Sequence, residues 1–269
     1  MTIITFLCIK KQESMIEKAI LEKIAAEVNL KDNDRDFFMR VWNTDPTVYR
    51  TKLKALGFEN FSHVLDAGCG FGQWTSELAS LNKNVTAIEY SEQRVNASRK
   101  ILEEMEISNC NFIQGSIEEI PVVDNFFDSI FAYSTILCTD YRKTLKEFYR
   151  VLKPNGTLYF NTNGLGWYLF NLIDGHNSTE SFSSRQMAID TIKESLKYYI
   201  NGTHIPGTAV LMSTEIVLKD LREIGYDVIA QGAEGTINLS NNVRNTPFFK
   251  GEYYGEEGVF EMIAVKKKI

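Results

Sequence analysis

The chain has 269 residues, of which 44% are hydrophobic and 24% charged, an ordinary globular composition that can supply a full core. Its formal net charge is −6, which repels a phosphate backbone, so we expect no nucleic-acid partner. Four scattered cysteines without a CxxC pair, together with only three histidines, argue against a disulfide framework or a zinc site and favour a reducing cytoplasm.

The N-terminal region has the pattern of short helices. The apolar start ITFLCI (3–8) is too short to span a bilayer and has no signal-peptide cleavage site, so we expect no membrane partner. Apolar residues at helical spacing predict a leader helix at 13–28. Residues 34–58 predict one or two further helices, broken at Asp45-Pro46. We interpret residues 1–58 as a helical N-terminal cap.

Strand patterns and helix patterns alternate from residue 63 onward. This alternation predicts right-handed crossovers and a parallel sheet. The predicted strands are HVLDAG (63–68), NVTAIEY (84–90), CNFIQG (110–115), FDSIFAYS (127–134) and GTLYFNTN (156–163); the predicted helices are 73–81, one capped by Ser91, and 140–152, which ends at the turn KPNG (153–156).

Residues 164–212 interrupt this alternation. They contain an aromatic-rich run and a predicted helix near 184–200. We interpret the segment as a helical lid in which Trp167, Tyr168 and Phe170 wall an apolar pocket and exclude water. The alternative is a helix that only packs on the domain.

The C-terminal part returns to regular structure and completes a domain at 59–269. Ser213 begins a helix that Gly225 ends. The segments 226–233 and 258–268 are predicted strands joined without a helix, so we expect an antiparallel hairpin at the sheet edge.

Three glycines lie between the first predicted strand and the helix that follows it. A helix N-terminus attracts an anion, and Gly68, Gly70 and Gly72 allow a ligand to approach the backbone closely. Glu89 ends the next strand, 17 residues after Gly72, where a carboxylate can accept both hydroxyls of a ribose. The combination predicts a ligand that contains a nucleoside.

The glycine spacing separates two classes of nucleoside ligand. The dinucleotide pattern G-x-G-x-x-G requires a glycine where Gln73 stands; the chain instead has D-x-G-x-G-x-G, beginning at Asp66. The stretch LDAGCGFG resembles motif I of class I S-adenosylmethionine-dependent methyltransferases, particularly the small-molecule group of ubiquinone and menaquinone biosynthesis. The likeness covers residues 60–162 and includes IEYSEQ, FIQGSIEEIP, FFDSIFAYSTIL and FYRVLKPNGTLYF.

This resemblance implies an α/β Rossmann-like sheet of seven strands, in the order 3-2-1-4-5-7-6 with strand 7 antiparallel, and S-adenosylmethionine as cofactor. Many relatives have an acidic residue where Ser116 stands. The resemblance also implies a role for each site residue. The backbone of Gly68, Cys69 and Gly70 would contact the methionine part of the cofactor, Asp66 would orient that loop, and Tyr133 would close over the methionine end. Glu89 would bind the ribose, and Tyr90, Ser116 and Ile117 would contact the adenine.

The acceptor is expected beside the loops that follow strands 4 and 5. The first of these loops lacks the [DN]-P-P-[YF] run of enzymes that methylate exocyclic amines or glutamine amides. His176 and His204 fall in the insertion and are candidate general bases, or else surface histidines. Asp140 is interpreted as a helix N-cap, and the candidate cofactor-covering residues of the cap are Arg40, Trp42, Tyr49 and Arg50.

We therefore predict methyl transfer to a small-molecule acceptor by in-line displacement, with a hydroxyl favoured and nitrogen or carbon open. Two alternatives are a non-catalytic S-adenosylmethionine-binding protein and an NAD-dependent oxidoreductase. No pattern in the sequence decides between a monomer and a homodimer.

Overall fold

A central seven-stranded sheet organises the computed structural model, which describes residues 16–180 and 182–268. The sheet order is β3-β2-β1-β4-β5-β9-β6, and only β9 is antiparallel to its neighbours. Since β9 is the seventh strand of this sheet, the predicted fold and strand order are confirmed. The strands are β1 (Val64–Ala67), β2 (Val85–Glu89), β3 (Cys110–Gln114), β4 (Phe127–Ala132), β5 (Leu152–Asn163), β6 (Tyr226–Ala233), β7 (Glu252–Tyr253), β8 (Glu256–Glu257) and β9 (Val259–Lys266).

Helices cover both faces of the sheet. In the part of the chain that the structure describes, none is long and apolar enough to cross a bilayer. The helices are α1 (Lys18–Glu27), α2 (Asp32–Trp42), α3 (Pro46–Ala55), α4 (Gln73–Leu81), α5 (Glu92–Glu104), α6 (Tyr141–Val151), α7 (Leu165–Asp174), α8 (Ser184–Asn201) and α9 (Thr214–Ile224).

Local capping signals set several of the helix ends. The Asp45 carboxylate accepts from the Thr47 N–H at 2.9 Å, and Pro46 follows as the first residue of α3. Asp140 accepts from the Lys143 N–H at 3.3 Å, which confirms it as the N-cap of α6. Gly225 ends α9 with a φ of 116°, as its position in the sequence predicted.

Alternating side chains of the strands enter two different cores. In β4, Ile130 and Ala132 pack in one core, with α6 and α9, whereas Phe131 packs in the other, with α3 and α4. Tyr159 of β5 lies in the second core and its neighbour Phe160 in the first. This two-residue period is why the strands of a sheet covered on both faces are apolar at nearly every position.

Helices α1 and α2 form a third core with α5, so the N-terminal region packs beside the sheet as a cap. Phe38 and Trp42 of α2 contact this core, and the Trp42 indole N–H donates to the Phe71 carbonyl at 3.0 Å. The leader helix begins at Lys18 within the described residues. The predicted segments at 3–8 and 13–15 lie outside them.

The insertion contributes α7 and α8, and hydrogen bonds join it to the domain. The Tyr198 hydroxyl of α8 donates to Asp140 Oδ1 at 2.6 Å. The Val210 N–H donates to the Leu137 carbonyl at 2.8 Å. One side of α8 therefore packs on the domain, as the alternative interpretation of the insertion expects.

Two details of the second half differ from expectation. The KPNG segment lies inside β5 as an irregularity of its register with β4, with Asn155 at a φ of 63°, and is not a turn that precedes the strand. The link between β6 and β9 contains the short hairpin β7–β8. Only two residues form each of its strands, too few to produce a readable alternation.

Candidate cofactor and acceptor site

A cavity of about 1710 Å³ opens at the carboxyl ends of β1 to β4, beneath α2 and the insertion. This is the position where open α/β sheets bind their ligands. Its volume exceeds the 300–1,000 Å³ or so of a usual small-molecule pocket, so two ligands fit side by side. Of the predicted site residues, those that line it are Gly68, Cys69, Gly70, Glu89, Tyr90, Ser116, Ile117, Tyr133, His176 and His204.

The glycine corner has the backbone geometry that only glycine adopts easily. Gly68 and Gly70 have φ angles of 75° and 56°. A Cβ on Gly68 would lie 2.1 Å from Thr135 Cγ2, whereas a Cβ on Gly70 would meet no atom within 4 Å. Gly68 is therefore required by packing, and Gly70 leaves open space on the side of the cavity.

The Glu89 carboxylate is held at the end of β2 by two backbone N–H groups. Gly70 donates to Oε2 at 3.1 Å, and Ser91 donates to Oε1 at 3.0 Å. A carboxylate has about four acceptor positions, so each oxygen keeps capacity for one more donor. The arrangement suits a pair of ligand hydroxyls.

Asp66 lies beneath the corner and does not line the cavity. Its carboxylate accepts from the Thr75 hydroxyl at 2.6 Å and so ties the end of β1 to α4. Burial raises the pKa of Asp66 to about 7, the Thr75 hydrogen bond opposes this shift, and the Glu89 charge adds to it. Burial also raises the pKa of the Cys69 thiol well above its ordinary value, so Cys69 is a protonated spacer and not a nucleophile.

The loop after β3 and the residue after Glu89 form the other end of the cavity. Tyr90 is 80% exposed and lies at its rim. The Ser116 hydroxyl accepts from the Glu118 N–H at 3.1 Å, so its lone pairs are partly used within the loop. Ile117 is buried and supplies an apolar surface.

The Tyr133 hydroxyl belongs to a buried ion network. It donates to Glu234 Oε1 at 2.9 Å, and the same carboxylate pairs with Lys52 at 2.5 Å. The backbone N–H groups of Phe248 and Phe249 donate to the other oxygen of Glu234. Burial and the neighbouring charge of Glu234 raise the pKa of Tyr133 well above its usual range, so only the ring of Tyr133 serves the cavity.

Both histidines of the insertion reach the cavity, but their surroundings differ. His204 Nε2 lies 3.0 Å from the Thr208 carbonyl, and because a carbonyl only accepts, Nε2 carries the proton. In a neutral ring Nδ1 is then an acceptor, and none of the described residues donates a hydrogen bond to it. The His176 ring packs on Phe170, with 4.5 Å between ring centroids.

The predicted wall residues divide into two groups. Arg40, Tyr49 and Trp167 line the cavity. The others are engaged elsewhere: Trp42 with Phe71, Arg50 in an ion pair with Glu77, and Tyr168 and Phe170 in the packing of α7.

Sequence reasoning missed several residues that shape the site. Arg94 of α5 lines the cavity and donates to Asp34 of α2 at 2.6 Å, which ties the cap to the cofactor side. Lys52 and Glu234 form the ion pair that binds the Tyr133 hydroxyl. A lysine in an amphipathic helix is usually solvent-exposed, and Glu234 is far from Lys52 in the sequence. No local pattern therefore predicts this buried pair.

The fold and this site define a methyltransferase of the Rossmann-like class. The chain belongs to the methyltransferase domain family, whose family model matches residues 59–205. The resemblance to class I S-adenosylmethionine-dependent methyltransferases is thereby confirmed, and S-adenosylmethionine is the cofactor of this class.

Two curated relatives are similar to part of the chain. It is 28% identical over 152 residues to a demethylmenaquinone methyltransferase of Listeria welshimeri, a match of 55% of this chain and 61% of that protein. It is 28% identical over 159 residues to a malonyl-[acyl-carrier protein] O-methyltransferase of Buchnera aphidicola, covering 58% and 60%. The chain thus spans about three fifths of the length of these curated relatives.

A solved structure agrees with the fold. Geranyl diphosphate methyltransferase in complex with S-adenosylmethionine aligns with a TM-score of 0.59 at 14% identity, over 90% of this chain and 94% of that one. At this identity the likeness shows the fold alone. Within the described residues, no group of three or more histidine, cysteine or carboxylate side chains is arranged to hold a metal ion.

The residues at the cavity fit the cofactor of the class. Glu89 keeps acceptor capacity for two hydroxyls, and the absence of a side chain at Gly70 leaves room against the backbone. The rim beside Tyr90 and Ile117 offers flat apolar contacts for a base. No cationic side chain needs to be displaced from the Glu89 carboxylate, because its contacts are backbone N–H groups.

The two glycines of the corner should respond differently to alanine. Gly68→Ala should lower the free energy of unfolding by about 2 kcal/mol or more, because its Cβ overlaps Thr135. Gly70→Ala should cost only about 1 kcal/mol of backbone strain but weaken S-adenosylhomocysteine binding, because its Cβ enters the cavity. Urea unfolding and calorimetry measure the two effects. Equal effects of both variants on stability and binding would contradict the assignment.

Replacing Asp66 by asparagine should change the pH dependence of stability. Unfolded aspartate ionises near 3.8 and folded Asp66 only near 7, so between these values the native state holds an extra proton and wild-type stability falls as pH rises. The free energy of unfolding of Asp66→Asn does not fall in this way, because asparagine does not ionise. The difference in the free energy of unfolding, variant minus wild type, should therefore increase between these pH values, by about 4 kcal/mol at most. Parallel urea-unfolding profiles for the two proteins would show that Asp66 ionises normally.

Proposed function

We propose that the protein transfers a methyl group from S-adenosylmethionine to a hydroxyl of a small-molecule acceptor by in-line displacement. One observation carries the proposal: a single cavity brings together the glycine corner, Glu89 and the two histidines of the insertion. The volume accommodates an acceptor beside the cofactor. A nitrogen or a carbon atom of the acceptor is the alternative site of methylation.

The cofactor supplies the electrophilic methyl group when bound. The chain's own task is to position the acceptor and exclude water, and good alignment lowers a barrier by about 7–11 kcal/mol in well-oriented systems. In this proposal Glu89 holds the ribose and the Gly68–Gly70 backbone borders the methionine part. Trp167, Phe248 and Phe249 give the acceptor end an apolar wall.

His204 is the better candidate for the general base that a hydroxyl nucleophile needs. Its Nε2–H is committed to the Thr208 carbonyl, which orients the ring and leaves Nδ1 to take the acceptor's proton. His176 is stacked on Phe170 and serves as a wall of the cavity. Asp140 also lines the cavity, but it already receives the Tyr198 hydroxyl and the Lys143 N–H.

The names of the relatives support a small-molecule acceptor in general terms. One relative is named for demethylmenaquinone and the other for O-methylation of a malonyl group on acyl-carrier protein. Their different acceptors indicate that the shared region serves the cofactor. We propose no nucleic-acid acceptor, in keeping with the net charge of −6.

A calorimetric titration tests the cofactor assignment and the role of Glu89. Wild type should bind S-adenosylhomocysteine and not NAD, and Glu89→Ala should weaken that binding at least about a hundredfold because two charged hydrogen bonds are lost. Glu92→Ala, one turn along and exposed, is the matched control. Preference for NAD, or unchanged affinity in a folded Glu89→Ala protein, would reject the ribose role.

Tritium from labelled S-adenosylmethionine, trapped in a metabolite extract, tests for catalysis. His204→Asn should lower the rate of incorporation by about 10²–10⁴ without changing S-adenosylhomocysteine affinity. His176→Asn should lower it less. His63→Asn, whose ring packs on Phe126 outside the cavity, is the control.

Two outcomes of the tritium assay weigh against the proposal. Full incorporation in His204→Asn would remove the histidine as base and favour a nitrogen or carbon acceptor. Cofactor binding without any incorporation by wild type would favour the non-catalytic binding protein.

A further inference from the structure

Ser134 has an unusual backbone conformation just after β4. Its φ angle is 54°, in the left-handed region that residues other than glycine and asparagine rarely adopt. The other described residues with a positive φ are glycines and asparagines, apart from Glu106 at the end of α5 and Tyr254 in the turn between β7 and β8. Ser134 instead is exposed and lines the cavity. Strained residues of this kind concentrate at functional sites, so the conformation calls for a functional explanation.

A buried asparagine holds Ser134 in this conformation. Asn161 of β5 is fully buried, and its Oδ1 accepts from the Ser134 N–H at 2.6 Å. Its Nδ2 donates to the Ser134 Oγ at 3.3 Å. Because an amide nitrogen only donates, it engages a lone pair of the hydroxyl and not the hydroxyl proton. None of the described residues accepts that proton.

The loop that begins at Ser134 connects the two ends of the cavity. Next to Ser134, the Thr135 hydroxyl lies 3.5 Å from the Gly68 carbonyl of the glycine corner. Further along, the Leu137 carbonyl accepts from the Val210 N–H of the insertion at 2.8 Å. Ser134 and His204 therefore line the same cavity from two segments that are hydrogen-bonded to each other. Methyl transfer has to occur between these segments and the glycine corner.

We propose that the Ser134 hydroxyl donates a hydrogen bond to the hydroxyl oxygen of the acceptor, and that Asn161 is the positioning residue that orients it. The proposal rests on the function proposed above. The acceptor oxygen uses one lone pair for Ser134 and the other for the methyl carbon. As the oxygen–carbon bond forms, the carbon–sulfur bond breaks and its electron pair stays on the sulfur, while the proton of the acceptor goes to His204 Nδ1.

The consequence is selectivity for the kind of atom that is methylated. A hydroxyl oxygen has two lone pairs, so it can accept a hydrogen bond while it attacks. A neutral amine has one lone pair, which the attack itself requires, and a carbon nucleophile has none to spare for a donor. A serine hydroxyl with an unused proton therefore favours a hydroxyl acceptor over the alternatives.

Two substitutions separate the Ser134 hydroxyl from the backbone strain. Ser134→Gly removes both, whereas Ser134→Ala removes the hydroxyl and keeps a Cβ in the left-handed region. Both should lower tritium incorporation from labelled S-adenosylmethionine in a metabolite extract by about tenfold or more, and both should keep the wild-type affinity for S-adenosylhomocysteine in calorimetry. Ser134→Gly should nevertheless unfold at a higher urea concentration than Ser134→Ala.

Asn60→Gly is the matched control for the change in backbone strain. Asn60 has a φ of 67°, is exposed and lies outside the cavity. Its replacement should leave tritium incorporation at the wild-type rate.

Asn161→Ala tests the positioning role in two backgrounds. It should lower incorporation in the wild-type chain but cause no further loss in Ser134→Gly, where no hydroxyl remains to be oriented. An equal loss in both backgrounds would overturn the positioning role, because it would show a disturbance independent of Ser134. The Ser134 variants decide the main proposal even if Asn161→Ala does not fold.

The outcomes distinguish this inference from the function on which it rests. If wild type transfers no label, the proposed function fails. If wild type transfers label and folded Ser134→Gly does so at the same rate, the role of Ser134 is wrong. A loss of S-adenosylhomocysteine affinity in Ser134→Gly as large as the loss of incorporation also overturns it, because the hydroxyl would then contact the cofactor and not the acceptor.

Discussion

The contact between the first crossover loop and the end of β2 is the constraint on which the site depends. The N–H groups of Gly68 and Cys69 both donate to the Ile88 carbonyl, at 2.8 and 3.0 Å, and Gly70 donates to the Glu89 carboxylate. These bonds require left-handed backbone angles, which glycine adopts without a steric penalty. These hydrogen bonds hold the loop and the carboxylate together at one end of the cavity.

Tertiary contacts join three distant segments to this unit. The buried Lys52–Glu234 ion pair connects α3 of the cap to the link after β6, and the Tyr133 hydroxyl adds the end of β4. A buried charge is stable only when it is paired and hydrogen-bonded, and Glu234 receives the Lys52 ammonium, the Tyr133 hydroxyl and two backbone N–H groups. The network fixes the orientation of the Tyr133 ring. That ring is part of the cavity wall near the glycine corner.

The insertion both packs on the domain and contributes residues to the cavity wall. Tyr198 and Val210 bind it to the loop after β4, so one side is part of the core. Trp167, His176 and His204 lie on the other side and line the cavity. Periodicity does not separate residues that pack in the core from residues that line a cavity, because aromatic and apolar residues suit both.

Local signals in the sequence predicted the alternation of strands and helices, the glycine corner and many helix boundaries, and the resemblance to class I S-adenosylmethionine-dependent methyltransferases implied the sheet order. Asp45-Pro46, Ser91, Asp140 and the glycine corner act on neighbouring backbone groups, so their effects can be read from adjacent residues. Only the tertiary structure decided that Glu234 holds Tyr133, that His204 is oriented by Thr208 beside the cavity, and that the Gln73 oxygen has no partner among the described residues. These properties depend on which groups burial brings together from distant parts of the chain. No local pattern encodes that proximity, because a buried pair and a solvated pair use the same residue types.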